Sequence, residues 1–466
     1  MSPVQALIFD FAHVLCSWHP PPNAHVPPQL LRSIMSSDIW HNYERGRHTQ
    51  AECYAKVAER FPVSAEDMAR TLQQARETLQ IHEDTLAFLQ QVKEESGGGL
   101  RVYGMTNTPH PEQNVMQSIR QQCPGLFDHI YISGNVGMRK PELCFYKYVL
   151  EDVGLPADAT VFVDDRLENV LAAQSQGMNG VVFRDLPELR RQMRNLLEDS
   201  GSRGRHFLAA NAMKMDSVTN SGETIRDNFA QLLILELMQD RSLVHLEPGE
   251  RTWNYFIGSP KLTTETFPDD MDTTSIALST LPMETDLVSS VIDEMATLIN
   301  EDGVCMTYFD PTRPRIDPVV CVNILTLFAQ HNREQEVSRT FDWVLDILLN
   351  RAYLAGTRYY QSPDIFLYFL TRLWRTSRGR DSHRQLTRPL TTRMRERIGA
   401  AGDAASLAAR IISCKALGIL NPGDLDTLQG MQCEDGSWPL GPSKVPILRW
   451  KEKKKKQRGL RILPAY

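Results

Sequence analysis

The sequence predicts two domains: an α/β domain built on a parallel sheet and carrying a helical cap, followed by an all-α domain. Three observations carry this reading. At 466 residues the chain exceeds what one hydrophobic core usually organises. Up to about residue 200, short apolar runs alternate with helical stretches, the signature of strands joined by helices. Beyond that point the apolar residues recur at helical spacing instead.

Taken in order, the runs 6–9, 102–105, 129–132, 160–163 and 181–183 read as strands. Between the first two lies a polar helical stretch, 28–92, far longer than a usual crossover; it reads as an inserted cap occupying about 15–95. The small-residue, basic stretch 200–205 lacks periodicity and marks the boundary, giving domains 1–200 and 206–440. In the second, Leu287, Val288, Val291, Ile292, Met295, Leu298 and Ile299 follow helical spacing, as do Val337, Phe341, Val344, Leu345 and Leu348. With 226–239, 319–330, 365–374 and 404–417 these make a helical array or α-barrel.

Composition excludes several classes of function. The net charge is −6, but 449–461 carry eight Lys/Arg and one Glu, so the body is more acidic still and does not resemble a nucleic-acid binder. The eight cysteines are scattered without CxxC pairs and read as reduced thiols of a cytoplasmic protein. No run approaches 18 apolar residues, so no membrane span is expected.

Candidate chemistry clusters in two places. Asp10 follows the first strand, Thr106 and Asn107 the second, Lys140 sits in Arg139-Lys140-Pro141-Glu142, and Asp164 and Asp165 end the fourth. Residues at the carboxyl ends of parallel strands share one crevice. An aspartate that attacks phosphorus, a Thr and a Lys that hold phosphate oxygens, and carboxylates that hold magnesium would suit phosphoryl transfer. Read alone, each is equally a cap or turn residue. Asp164-Asp165-Arg166-Leu167-Glu168 also spells DDxxE, a magnesium–diphosphate pattern of helices. Its place after a strand fits a hydrolase-type metal site of Asp10, Asp164, Asp165 and Glu168 better.

These motifs, in this order, resemble the haloacid dehalogenase-like hydrolases with a cap after the first motif, over about residues 4–195. The resemblance implies a Rossmannoid sheet, Asp10 as nucleophile and Mg2+ as cofactor. One position departs from it: the family's second aspartate, the general acid and base, is Ala12 here. That role is worth ~10² to 10⁴ in rate. His13 is adjacent but would face the opposite side if the strand continued. A weak phosphatase, or a scaffold without chemistry, is the expectation.

The second cluster is Pro268-Asp269-Asp270-Met271-Asp272-Thr273-Thr274-Ser275, which as a bare pattern holds metal ligands, a helix N-cap or a protected acid. Asp270-Met271-Asp272-Thr273-Thr274 resembles the DxDTT motif of class II terpene cyclases. Gln432-Cys433-Glu434-Asp435-Gly436-Ser437-Trp438 resembles that superfamily's QxxDGSW repeat, with a degenerate copy at Glu301-Asp302-Gly303 leading to Tyr308-Phe309. A hydrolase-like domain ahead of a DxDTT domain resembles the microbial drimane-type sesquiterpene synthases.

That resemblance implies a class II cyclase α-barrel and protonation-initiated cyclisation of farnesyl diphosphate to a bicyclic drimane-type diphosphate. Asp272 carries over as the acid, oriented by Asp270 and Thr273, because protonating an alkene needs a carboxyl kept neutral in a dry pocket. The carbocation would be met by aromatic faces. Trp253, Tyr308 and Trp438 lead the candidates, with Tyr255, Phe256, Phe309, Trp343, Tyr359 and Tyr360; each is also an ordinary core residue. Arg313 and Arg315, on a Pro-rich loop, would grip the diphosphate or lie in a solvated turn. Dephosphorylation is left to a separate phosphatase, or proceeds at the N-terminal site to give the alcohol; a catalytically impaired scaffold is the third reading. After Trp438 the family continues in helical, aromatic sequence, whereas this chain runs into a basic tail, 441–466, that reads as disordered.

Overall fold

A computed structural model of the protein describes residues 3–21, 23–218 and 222–439. The basic tail lies outside the described residues. The chain divides into two compact units, Met1–Glu198 and Asp199–Tyr466.

The first unit is built on five parallel strands, β1 (Ala6–Phe9), β2 (Arg101–Thr106), β3 (His129–Ile132), β4 (Thr160–Asp164) and β5 (Asn179–Val182), in the order β3-β2-β1-β4-β5. Because side chains alternate across a strand, Leu7, Phe9, Val102, Val161 and Val163 fill a core on one face and Ala6, Ile8, Tyr103, Met105 and Phe162 another on the opposite face. The chain leaves β1 for β2 on one side and returns to β4 on the other, so the crevice at their carboxyl ends is a topological switch point.

The cap consists of α1 (Pro28–Met35), α2 (Asp38–Glu44), α3 (Gln50–Arg60) and α4 (Ala65–Glu77), packed round their own core of Leu31, Ile34, Trp40, Tyr43, Val57 and Leu72. It is narrower than the sequence suggests. The pairing of Cys16–Ser17 with Gln80–Ile81 closes its neck, and α5 (Glu83–Glu95) buries Leu86, Phe88 and Leu89 against the sheet. Polar periodicity alone does not separate a cap helix from a crossover helix. Later, α6 (Leu167–Ser175) follows β4.

The second unit begins with a helix where the sequence suggested a linker. Residues 200–205 open α7 (Ser200–Ala210), whose first turn is capped by Asp199 accepting from the Ser202 amide at 2.5 Å. Its glycines hide the helix from a periodicity count. Next come α8 (Asn228–Met238), α9 (Met271–Thr280), α10 (Thr285–Thr297), α11 (Pro318–Gln330), α12 (Ser338–Leu349), α13 (Pro363–Thr376), α14 (Asp381–Arg397), α15 (Ala404–Ala416) and α16 (Pro422–Gly430). Helices α8, α9, α11, α13, α15 and α16 pack in succession, with α12 against α11 and α14 against α13. Residues 319–329 of α11 are all buried, as expected of a helix apolar on every side.

Candidate functional site

In the first unit, Asp10 continues β1, its amide donating to Val163 O of β4 at 2.9 Å. Lys140 Nζ lies 2.7 Å from both Asp10 Oδ1 and Asp164 Oδ2 and is 1% exposed. Asn107 grips the Lys140 backbone twice, accepting from its N–H at 2.8 Å and donating to its carbonyl at 2.9 Å. It therefore sits as a positioning group for the lysine. Thr106 is buried, its hydroxyl 2.8 Å from that of Thr108. Asn169 of α6, which no sequence pattern singles out, donates to both oxygens of Asp164 at 2.9 and 3.0 Å.

Asp10, Asp164 and Asp165 each offer an oxygen within 4.8 Å of the others. Burial pushes the Asp10 carboxyl up to about 7, with Lys140 opposing and Asp164 adding; burial and Asp164 also raise Asp165. Carboxylates that repel one another this way are relieved by a hard divalent cation, so the donor set fits Mg2+. Glu168 is not part of the cluster. It stands on the exposed side of α6, paired with Arg166 at 2.6 Å. The missing second aspartate leaves Ala12 bridged to Cys16 in a tight turn. Since β1 ends at Phe9, the strand rule for His13 does not apply: its φ is 62° and its ring stacks on His19.

In the second unit a cavity of about 890 Å³ opens at the start of α9. Asp270 is the N-cap, its Oδ1 accepting from the Thr273 amide at 2.6 Å. Capping and acid chemistry therefore coexist in the motif. Asp272, in the first turn, accepts from Asn323 Nδ2 at 2.7 Å on Oδ1 and from the Tyr360 hydroxyl on Oδ2. Asp270, Asp272 and Thr273 all line the cavity. Burial raises Asp272 to about 6, held back by the Tyr360 and Asn323 hydrogen bonds; burial and the Asp272 charge raise Asp270 to about 8. Between those values the pair retains a proton.

The aromatic lining differs from the sequence expectation. Tyr308, Tyr255, Phe256, Tyr359 and Tyr360 line the cavity, joined by Phe229, Phe267, Tyr368 and Phe369, which sequence reasoning missed. Trp253 does not: it is 1% exposed and packs in the helical core, its carbonyl accepting from the Asp270 amide. Trp438 is also core, packed with Leu407 and Leu428 and donating its indole N–H to Leu428 O at 2.8 Å. Phe309 and Trp343 pack against the core rather than line the cavity. An aromatic near a motif carries no sequence mark that separates lining from packing.

The basic groups separate by their partners. Arg313 lies off the cavity, paired with Asp310 at 3.2 Å and bonded to Thr266 O. Arg397 reaches the cavity but is committed to Asp364 at 2.8 and 3.0 Å, in a buried knot with Arg410 and Asp424. Arg315 and Arg358 line the cavity with no carboxylate partner among the described residues. Arg358 was not singled out by any sequence pattern. An apolar, aromatic cavity with a buried acid and guanidiniums that have no carboxylate partner among the described residues can hold a hydrocarbon chain and an anionic head.

Among the described residues no helix is long and apolar enough to cross a membrane, and all eight cysteines are free. Comparison with known proteins gives two family matches. Residues 23–177 match the haloacid dehalogenase-like hydrolases, and 201–331 match the sesquiterpene cyclase astC-like C-terminal domain. Over 436 residues the chain is 47% identical to the drimenol cyclase drtB of Aspergillus calidoustus, covering 94% of this chain and 82% of that protein. It is 36% identical over 181 residues to the sesquiterpene phosphatase astK of Aspergillus oryzae, covering 39% of this chain and 90% of that one. Among solved structures, a haloacid dehalogenase-family enzyme from Bacteroides thetaiotaomicron with magnesium and inorganic phosphate is 22% identical, covering 40% of this chain and 98% of that one at a TM-score of 0.32.

Proposed function

The chain belongs to the family of sesquiterpene cyclases that join a haloacid dehalogenase-like hydrolase to an astC-like cyclase domain, and from that premise we propose that it converts farnesyl diphosphate to a bicyclic drimane-type alcohol. The observation that carries the cyclase half is Asp272, a buried acid at the wall of an aromatic cavity, hydrogen-bonded at both oxygens and paired with Asp270. In this reading Asp272 gives its proton to the terminal alkene. The tertiary cation formed is attacked by the next alkene, ring closure follows, and loss of a proton from carbon ends the sequence. The rings of Tyr308, Phe256 and Phe369 face the positive charge, each contributing ~0.5 to 2 kcal/mol. Arg315 and Arg358 hold the diphosphate, which stays attached throughout.

The alcohol requires removal of the diphosphate, and the first unit has the groups for it. Asp10 attacks phosphorus, Lys140 and Thr106 hold phosphate oxygens, and Asn107 keeps Lys140 in place. Asp10, Asp164 and Asp165 would hold Mg2+, which when bound neutralises charge on the transferring group. The names of the relatives, a drimenol cyclase and a sesquiterpene phosphatase, favour the alcohol over the diphosphate as the end product. Ala12 favours the second reading, a cyclase whose diphosphate leaves for a separate phosphatase, because the acid that would protonate the leaving oxygen is absent. The protein incubated with farnesyl diphosphate and Mg2+ decides between them when intact diphosphates and free alcohols are both quantified by mass spectrometry. Bicyclic alcohol with phosphate release that stops in Asp10→Asn supports the bifunctional reading; bicyclic diphosphate alone supports the second. Unchanged substrate sinks both.

A further inference from the structure

Behind the acid runs a chain of hydrogen bonds that the reaction so far does not use. Asp272 Oδ1 accepts from Asn323 Nδ2 at 2.7 Å, Asn323 Oδ1 accepts from Arg372 Nη1 at 2.9 Å, and Arg372 Nε and Nη2 donate to Glu236 Oε1 at 2.9 and 2.7 Å. The links come from α11, α13 and α8. Asn323 is 1% exposed and Arg372 8%, and Arg372 also lies over the Phe369 ring. None of the three lines the cavity, whereas Asp272 and Tyr360 do.

An asparagine amide can turn over and exchange its donor and acceptor ends. Here it is prevented, because a guanidinium has only donors and a turned amide would set N–H against N–H. Asn323 is therefore confined to donating to Asp272. Oδ1 is thereby committed as an acceptor, whereas the Tyr360 hydroxyl on Oδ2 can rotate from donating to accepting, so the transferable hydrogen is left to Oδ2, whose partner lines the cavity. Glu236 in turn holds Arg372, pairing with its guanidinium at 2.7 Å.

We propose that Arg372 and Glu236 are positioning residues for the cyclisation, which through Asn323 fix the oxygen of Asp272 that carries the proton and aim it into the cavity. The inference rests on the reading of Asp272 as the acid.

An electrostatic consequence distinguishes this role from packing. Asp272 is faced by Asp270 at the start of α9, by Asp317, Cys321 and Asn323 of α11 and its cap, and by Tyr360 and Arg372. Among these Arg372 supplies the positive charge that favours ionised Asp272, and Glu236 tempers it. Activity needs the proton, so turnover falls as pH rises through the pair's titration. Losing Arg372 moves that alkaline limb to higher pH; losing the Glu236 charge moves it to lower pH.

The test measures cyclisation of farnesyl diphosphate against pH for wild type, Arg372→Gln, Arg372→Lys and Glu236→Gln, with Asp272→Asn as the dead control and circular dichroism as the check on folding. The expected results are a kcat lowered by up to ~10²-fold in Arg372→Gln and Glu236→Gln with KM little changed. Their alkaline limbs move in opposite directions, and Arg372→Lys returns the limb to the wild-type position without restoring kcat. Should Arg372→Gln fail to fold, the limb of Glu236→Gln decides alone. Limbs that stay in place or move together, or wild-type kcat in both variants, overturn the inference. A wild type that makes no bicyclic product, or a Asp272→Asn that makes as much, overturns instead the reading on which it rests.

Discussion

Replacing Asp272 by asparagine should give a protein that is inactive and, above neutral pH, more stable than the wild type. The carboxyl is buried and its pKa lies at about 6 instead of the ordinary 3.8. A folded-state value above the unfolded one means that the folded protein prefers the protonated acid, so ionisation opposes folding. The penalty is absent below pH 3.8, grows as pH rises to about 6, and is constant beyond. At ~1.4 kcal/mol per pH unit it reaches about 3 kcal/mol. Asparagine keeps the local bonds, since its oxygen can still accept from Asn323 and its amide can donate to the Tyr360 oxygen. The variant should therefore recover up to about 3 kcal/mol at pH 8, a rise in melting temperature of roughly 6 to 12 °C for a unit of this size. The gain should shrink towards zero near pH 4. Turnover falls ~10²- to 10⁴-fold. Thermal unfolding at both pH values, beside a product assay, checks both halves. A variant equally stable or weaker at pH 8, or a gain independent of pH, would refute the claim that burial disfavours the ionised form of Asp272.

Arg315→Ala and Arg358→Ala should each raise KM for farnesyl diphosphate by ~10- to 100-fold through loss of a charge-assisted contact, whereas Arg313→Ala, tied to Asp310 off the cavity, leaves KM unchanged; steady-state kinetics decide. Asp10→Asn should stop phosphate release while bicyclic diphosphate accumulates at the wild-type rate, visible in one chromatogram. With the wild type in H2(18)O, label should enter phosphate and not the alcohol, since the bond cleaved lies between phosphorus and oxygen; label in the alcohol would mean ionisation at carbon. Trp438→Ala should cost ~3 to 5 kcal/mol in unfolding experiments and leave the product profile of the folded fraction unchanged, because the indole packs on Leu407 and Leu428 and does not itself line the cavity.

The strands were legible because a strand buried on both faces must be an unbroken apolar run, and a charged residue ending it marks the crevice at the carboxyl ends of the sheet. The same logic brought Asp10, Asp164 and Asp165 together. It failed for Glu168, where helix α6 begins and turns the side chain to solvent. Helix α9 escaped the periodicity count because Asp272, Thr273, Thr274 and Ser275 are all buried, so no polar face marks its outside. In α14 the reverse holds: Leu386, Leu390 and Met394 are a thin stripe on a helix otherwise dominated by Arg and Thr. The hydrogen-bond chain behind Asp272 joins residues as far apart as Glu236 and Arg372 and has no local spacing to find. Its trace is nonetheless there, in a single asparagine within the apolar run 319–329 and an arginine within the buried face of α13.

The central claim is that the reaction starts with a proton from Asp272, and running it in D2O tests this most directly. A carboxyl exchanges with solvent, so each bicyclic product should carry one carbon-bound deuterium, set by the first step and located by NMR at the ring carbon derived from the terminal alkene. Product formed without deuterium, or deuterium incorporated undiminished by Asp272→Asn, would contradict the account.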